Sequence, residues 1–146
     1  MPKLIATAAE YGINFSFTGT TGHSRSSHIL LALTLHHLGA SAQEQVLEEL
    51  FRGHCCEGRD VSDESWLVDV GLRAGLSEVI MCKEFDSYAA RKGVDGAAKE
   101  AKESDGIKAV PSITIQGKYR VGGYQEHSVF EKVLEKLCKE HEKRCS

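Results

Sequence analysis

Proline is nearly absent: among 146 residues it stands only at positions 2 and 111, so nothing between them interrupts a helix by removing an amide donor. An excess of charge of one sign is missing too. Eighteen Lys and Arg against 21 Asp and Glu leave a formal net charge of −3. No basic cluster marks one face, which argues against nucleic acid or an anionic membrane as the main partner. No apolar run approaches the about 20 residues that span a bilayer. The opening Met1-Pro2-Lys3-Leu4-Ile5-Ala6 is too short in apolar residues for a secretion signal. The five cysteines, Cys55, Cys56, Cys82, Cys138 and Cys145, contain no C-x-x-C pair. Their odd number and the lack of a signal favour reduced thiols and a cytoplasmic location. Gly12, Gly19 and Gly22 precede no G-K-[ST] and make no phosphate loop. With 41% hydrophobic and 27% charged residues, the chain reads as ordinary globular material of about one domain.

What is present before residue 105 is helical periodicity. Pro2 to Tyr11 predicts a short helix stopped by Gly12, followed by an extended connector at 14–17 and a polar loop at 18–23. Ser24 to Leu38 is apolar on nearly every side, which predicts a buried helix, and Gly39 stands where a left-handed cap is wanted. Ser41-Ala42-Gln43-Glu44 has the spacing of a capping box opening a helix to about Cys56, with Val46, Leu47, Leu50 and Phe51 inward. Gly58 ends it. Ser62 is expected to cap a helix from Asp63 to Arg73 that buries Trp66, Leu67, Val70 and Leu72, closed by Gly75. Ser77 opens a short helix with Val79, Ile80 and Met81, and Ser87 a longer Ala-rich one toward Ser104, before Asp105-Gly106.

From residue 106 the pattern changes. Val110-Pro111 is an apolar X-Pro junction at the start of a strand, where a missing amide donor is tolerated and where cis geometry is cheapest. Ser112 to Gln116 alternates Ile113 and Ile115 with polar neighbours, Gln116-Gly117-Lys118 supplies a turn, and Tyr119 and Val121 resume the alternation. From Gln125 to His141, Val129, Phe130, Val133, Leu134 and Leu137 recur at spacings of three and four, predicting a helix with one face on the hairpin. Two strands and a helix are marginal alone. Either the helical region covers them, or a second copy pairs with the open hairpin edge to give a homo-oligomer, or the natural chain is longer.

These residues resemble the DsbA family of thiol-disulfide oxidoreductases. The Val-Pro hairpin with its Gly-Lys-Tyr turn and closing helix is similar to that family's C-terminal segment. The stretches Glu10 to Phe15, Ser27 to Leu31, Glu49 to Arg52, Glu57 to Asp63, Leu67-Val68 and Ala74 to Leu76 resemble the inserted helical domain of its FrnE-like branch, which is related to 2-hydroxychromene-2-carboxylate isomerase. The resemblance implies an α/β, thioredoxin-like fold that is incomplete here. Residues 1–105 would form the helical insertion domain, and residues 106–146 the C-terminal half of the thioredoxin fold. A first strand, a helix opening at C-x-x-C and a second strand would precede Met1, so the chain reads as truncated and without its catalytic residues. Val110 and Pro111 would then be substrate-binding, holding an extended peptide or a protein thiol substrate by strand addition, with the 110–111 bond cis. No cofactor is implied.

Two alternatives stand beside this reading: a non-catalytic peptide-binding or assembly module, and glutathione-linked chemistry of the kappa transferase or isomerase branch. Cys55 and Cys56, beside His54, are redox candidates because an imidazole can activate a thiolate, although adjacent small thiols more often fill core space. Cys138, His141 and Cys145 share helical spacing, but three soft ligands on a charged helix end do not make a zinc site, and no metal is expected. His23, His28, His36 and His37 have no carboxylate or thiol at a defined offset and form no catalytic constellation.

Overall fold

A computed structural model describes residues 2–103, 107, 110–123 and 125–145, with the side chains of 4–103, 107, 110–123 and 125–142. The expected passage from Ser104 through Asp105-Gly106 lies outside the described residues. The elements in order are α1 (Pro2–Glu10), α2 (Arg25–Leu38), α3 (Ala40–Glu57), α4 (Glu64–Ala74), α5 (Glu78–Phe85), α6 (Tyr88–Glu103), β1 (Ser112–Ile115), β2 (Tyr119–Gly122) and α7 (His127–Cys145). Backbone packing divides the chain into two compact units, Met1–Ala97 and Ala98–Ser146.

The first unit is built on α2, α3, α4 and α5, which pack on one another. Its core is Ile29 and Leu30 of α2, Val46 and Leu50 of α3, Trp66, Leu67 and Val70 of α4, Leu76 of the following turn, and Met81 and Phe85 of α5. Each fully buried Leu, Val, Phe or Met in this set contributes about 1.5–3 kcal/mol by leaving water. Ser27 and Thr34 are the buried polar members of α2, and their hydroxyls donate to Ser24 O and Leu30 O, each at 2.8 Å, which removes the penalty of burial. Two glycines let helices approach closely. A Cβ on Gly71 would stand 2.1 Å from Met81 Sδ, and one on Gly53 would stand 2.3 Å from Trp66 Cζ2, so neither position has room for a side chain.

Several local expectations are corrected. α2 is buried on one side only, with Leu35 and Leu38 exposed, because its partners cover a single face. Gly39 has a positive φ of 88° but a ψ of 179°, a backbone region open essentially to glycine and different from the left-handed cap. That one residue joins α2 to α3, so α3 starts at Ala40, and Ser41 falls inside its first turn instead of capping it; no side-chain cap is present. Gln43 instead donates from Nε2 to Leu31 O at 3.1 Å. The next helix is capped by Asp63, not Ser62: Asp63 Oδ1 accepts from Ser65 N and Trp66 N, while the Ser62 hydroxyl is occupied by Asp60. Ser77 makes no capping bond, whereas Ser87 Oγ accepts from Ala90 N at the start of α6. Phe51 and Leu72, both expected inward, are exposed, as are Val79 and Ile80 of α5.

In the second unit β1 and β2 form a two-stranded antiparallel sheet, with Ser112 opposite Gly122, Ile113 opposite Val121, Thr114 opposite Arg120 and Ile115 opposite Tyr119. The apolar members of both strands therefore share one face. Gln116 and Gly117 both have positive φ, as a type I′ turn requires, and Ile115 O accepts from Lys118 N. Among the described residues of this unit only Val121 is buried. Leu134 of α7, expected against the hairpin, is exposed.

Candidate functional site

The junction leading into β1 is the first place to look for chemistry. The Val110–Pro111 bond is cis, Val110 is 84% exposed, and Gly123 N donates to Pro111 O at 2.7 Å. That bond sets the phase of the ladder. In an antiparallel pair, bonded and non-bonded residue pairs alternate, so Ile113 faces its partner Val121 with both backbone groups. The N–H and C=O of Ser112 and Thr114 point away from β2. Among the described residues no strand pairs with that outer edge. From Val110 to Gln116 the chain carries no charge, whereas β2 bears Arg120 and follows Lys118. Charged side chains are a common guard against strand addition, and the β1 edge lacks one.

Cys55 and Cys56 lie in the last turn of α3, both half-buried free thiols. His54 is directed elsewhere: its Nδ1 donates to Arg59 O at 3.0 Å, and no hydrogen bond joins it to either thiol. The backbone of Cys55 anchors the loop before α2, with Cys55 O accepting from Ser16 N at 2.7 Å. Cys82 and Cys138 are exposed free thiols, and the Cys145 side chain is outside the described residues. Among the described residues no group of three or more His, Cys, Asp or Glu is placed to hold a metal, and no helix is long and apolar enough to cross a membrane.

Two polar centres were not anticipated. Asp60 gathers the 16–23 loop onto the turn between α3 and α4: its Oδ1 accepts from Ser62 Oγ at 2.7 Å, Ser62 N at 2.8 Å and Gly22 N at 2.9 Å, and Oδ2 accepts from Thr20 Oγ1 at 3.3 Å. The Ser62 hydroxyl, then the Ser62 and Gly22 amides, hold its carboxyl down at about 2. Gly19 and Gly22, excluded as a phosphate loop, serve close approach here. A Cβ on Gly19 would meet Gly58 O at 2.2 Å, and one on Gly22 would meet Ser62 Oγ at 2.0 Å. The Asp60-Val61-Ser62 spacing, an aspartate two residues before the amide it accepts from, is the one local signal of this turn in the sequence.

The second centre is Glu140 on α7. Its Oε2 pairs with Lys118 Nζ at 2.6 Å and its Oε1 accepts from Tyr119 OH at 2.8 Å. The Lys118 bond, reinforced by Tyr119, lowers the Glu140 carboxyl, and the same bond raises the Lys118 ammonium. Lys118 and Lys136 stand 5.2 and 5.1 Å from the centroid of the Tyr119 ring. Residues 21 and 22 positions apart carry no sequence signal of such a contact.

The family model of the DSBA-like thioredoxin domain matches residues 1–135, which takes in both units apart from the end of α7. A search of curated proteins found no match. With more than nine-tenths of its length matched, the chain belongs to the DSBA-like thioredoxin domain family, a family of thioredoxin-fold oxidoreductases.

Proposed function

We propose that this chain supplies the substrate-receiving side of a disulfide oxidoreductase of the FrnE-like branch, binding an extended segment of a thiol protein along the outer edge of β1 beside Val110 and Pro111. By itself it does not exchange disulfides. The observation that carries the reading is the uncharged β1 edge, where the outward amides and carbonyls of Ser112 and Thr114 are spaced for a docked strand. Family membership makes a thiol protein the natural guest. Inactivity rests on chemistry: exchange requires an attacking thiolate and a resolving partner, and no two of the five cysteines stand at C-x-x-C. The free thiols Cys55, Cys56, Cys82 and Cys138 fit a reducing compartment such as the cytoplasm.

Thr114→Pro tests the binding half directly. Proline there removes an outward N–H without touching a ladder bond, so the variant should lose binding of an alkylated, unstructured insulin B chain while β2 keeps its partner. Equal binding by Thr114→Pro and the parent chain would refute edge docking. For the catalytic half, insulin reduction should stay at the uncatalysed rate, and turnover that persists after Cys55 and Cys56 are replaced by Ser would contradict the proposal.

A further inference from the structure

A cleft of about 360 Å³ lies between α3 and α4, within the range of about 300–1,000 Å³ typical of small-molecule sites. Its floor is Trp66, which comes this close because Gly53 has no side chain. Its rim is charged, with three arginines against four carboxylates, and most of those charges are already spent on one another. Glu49 pairs with Arg73 and, at 3.9 Å, with Arg52; Arg52 also reaches Glu57 at 3.3 Å. Asp63 is engaged as the cap of α4. What remains is one cation and one anion, Arg59 and Asp69, whose side chains have no partner among the described residues.

We propose that this cleft binds a short peptide by its two charged ends, the terminal carboxylate on Arg59 and the terminal ammonium on Asp69, with the chain between them lying over Trp66. A guanidinium matches a carboxylate with two parallel hydrogen bonds, and an ammonium is a compact partner for an aspartate. Opposite unpaired charges at one cleft select a zwitterion over a simple anion, which would leave Asp69 without a partner. Arg59 stands in the turn before the Asp63 cap and Asp69 in the second turn of α4, so the two charges hold a ligand by separate ends. All the residues involved belong to the helical unit, and the proposal does not depend on the β1 edge.

Trp66 is the only tryptophan, so its emission reports on the floor of the cleft with no other indole in the signal. Triglycine titrated into the full chain should produce a saturable change, and amidation of its C-terminus or acetylation of its N-terminus should each weaken binding by about tenfold, the value of a charge-assisted hydrogen bond. Arg59→Gln should abolish the preference for the free carboxylate, and Asp69→Asn the preference for the free ammonium. Three results would overturn the proposal: no saturable change with triglycine, equal affinity for triglycine and its capped forms, or end preferences that survive both substitutions.

Discussion

The helical unit and the hairpin unit are held in opposite ways. In the first, ten buried apolar residues from four helices and one turn form a continuous core, and polar groups such as Thr34 and Asp60 satisfy what the core encloses or tie loops to its rim. In the second, Val121 alone is buried among the described residues, and the hairpin is joined to α7 by Glu140 acting on Lys118 and Tyr119, while Gln125, ahead of α7, donates to Gly122 O. Stability resides where apolar area leaves water. The unit that keeps its backbone edge accessible is the one to which the proposed docked strand is assigned.

The contrast is sharpest in the core. Leu67→Ala, at a position with no exposure, should cost about 2–5 kcal/mol in urea unfolding. Leu134→Ala on the exposed face of α7 should stay within about 0.5 kcal/mol. Comparable losses at both would erase the distinction between the units.

Glycine substitutions test the same point with opposite signs. Gly53→Ala places a methyl carbon 2.3 Å from the Trp66 ring, an overpacking of about 1–3 kcal/mol that outweighs the helix-propensity gain of about 1 kcal/mol. Gly93→Ala in α6 meets nothing within 4 Å and should stabilise by about 0.5–1 kcal/mol. Both are read from denaturation midpoints.

Acid should act through Asp60 before it reaches the core. Its carboxyl is held at about 2 against an ordinary 3.8, so the folded state favours the ionised form. The resulting stabilisation is complete above about pH 4 and is lost as the pH falls through about 2. The parent chain should therefore lose stability across that window, while Asp60→Asn, already lacking the charge, should show a flatter profile. Parallel profiles would mean that the loop does not depend on the ionised group.

The smallest effect is expected at the polar tie of the second unit. Lowered Glu140 and raised Lys118 both favour the paired state between their titrations. Glu140→Gln should speed amide exchange at Lys118 and Tyr119 while leaving the global unfolding midpoint nearly unchanged, because exposed ion pairs are strongly screened. A shift of that midpoint as large as the one from Gly53→Ala would show that the tie is structural for the whole chain.

Which elements form was legible because periodicity and breakers are local. Gly58 and Gly75 end α3 and α4 in left-handed conformations, the Gln116-Gly117 turn joins the two strands, and Leu67, Val70, Val46 and Leu50 are buried as their spacing predicts. Which apolar residues stay outside was not legible. Leu35, Phe51, Leu72 and Val79 are as hydrophobic as the core residues, and only the placement of neighbouring helices decides which face is covered. The capping box failed for a related reason, since a single glycine linking α2 to α3 shifted the helix start and left Ser41 nothing to cap.

The same division holds for the site. The order of residues along the chain determined the family, the uncharged β1 strand and the lack of a C-x-x-C pair, because each depends only on sequential neighbours. The tertiary structure alone decided that His54 turns to Arg59 instead of a thiol, that Asp60 organises a loop some forty residues earlier, and that Glu140 meets Lys118 and Tyr119. Those contacts join residues far apart in the chain, and such pairs are set by how helices and strands pack.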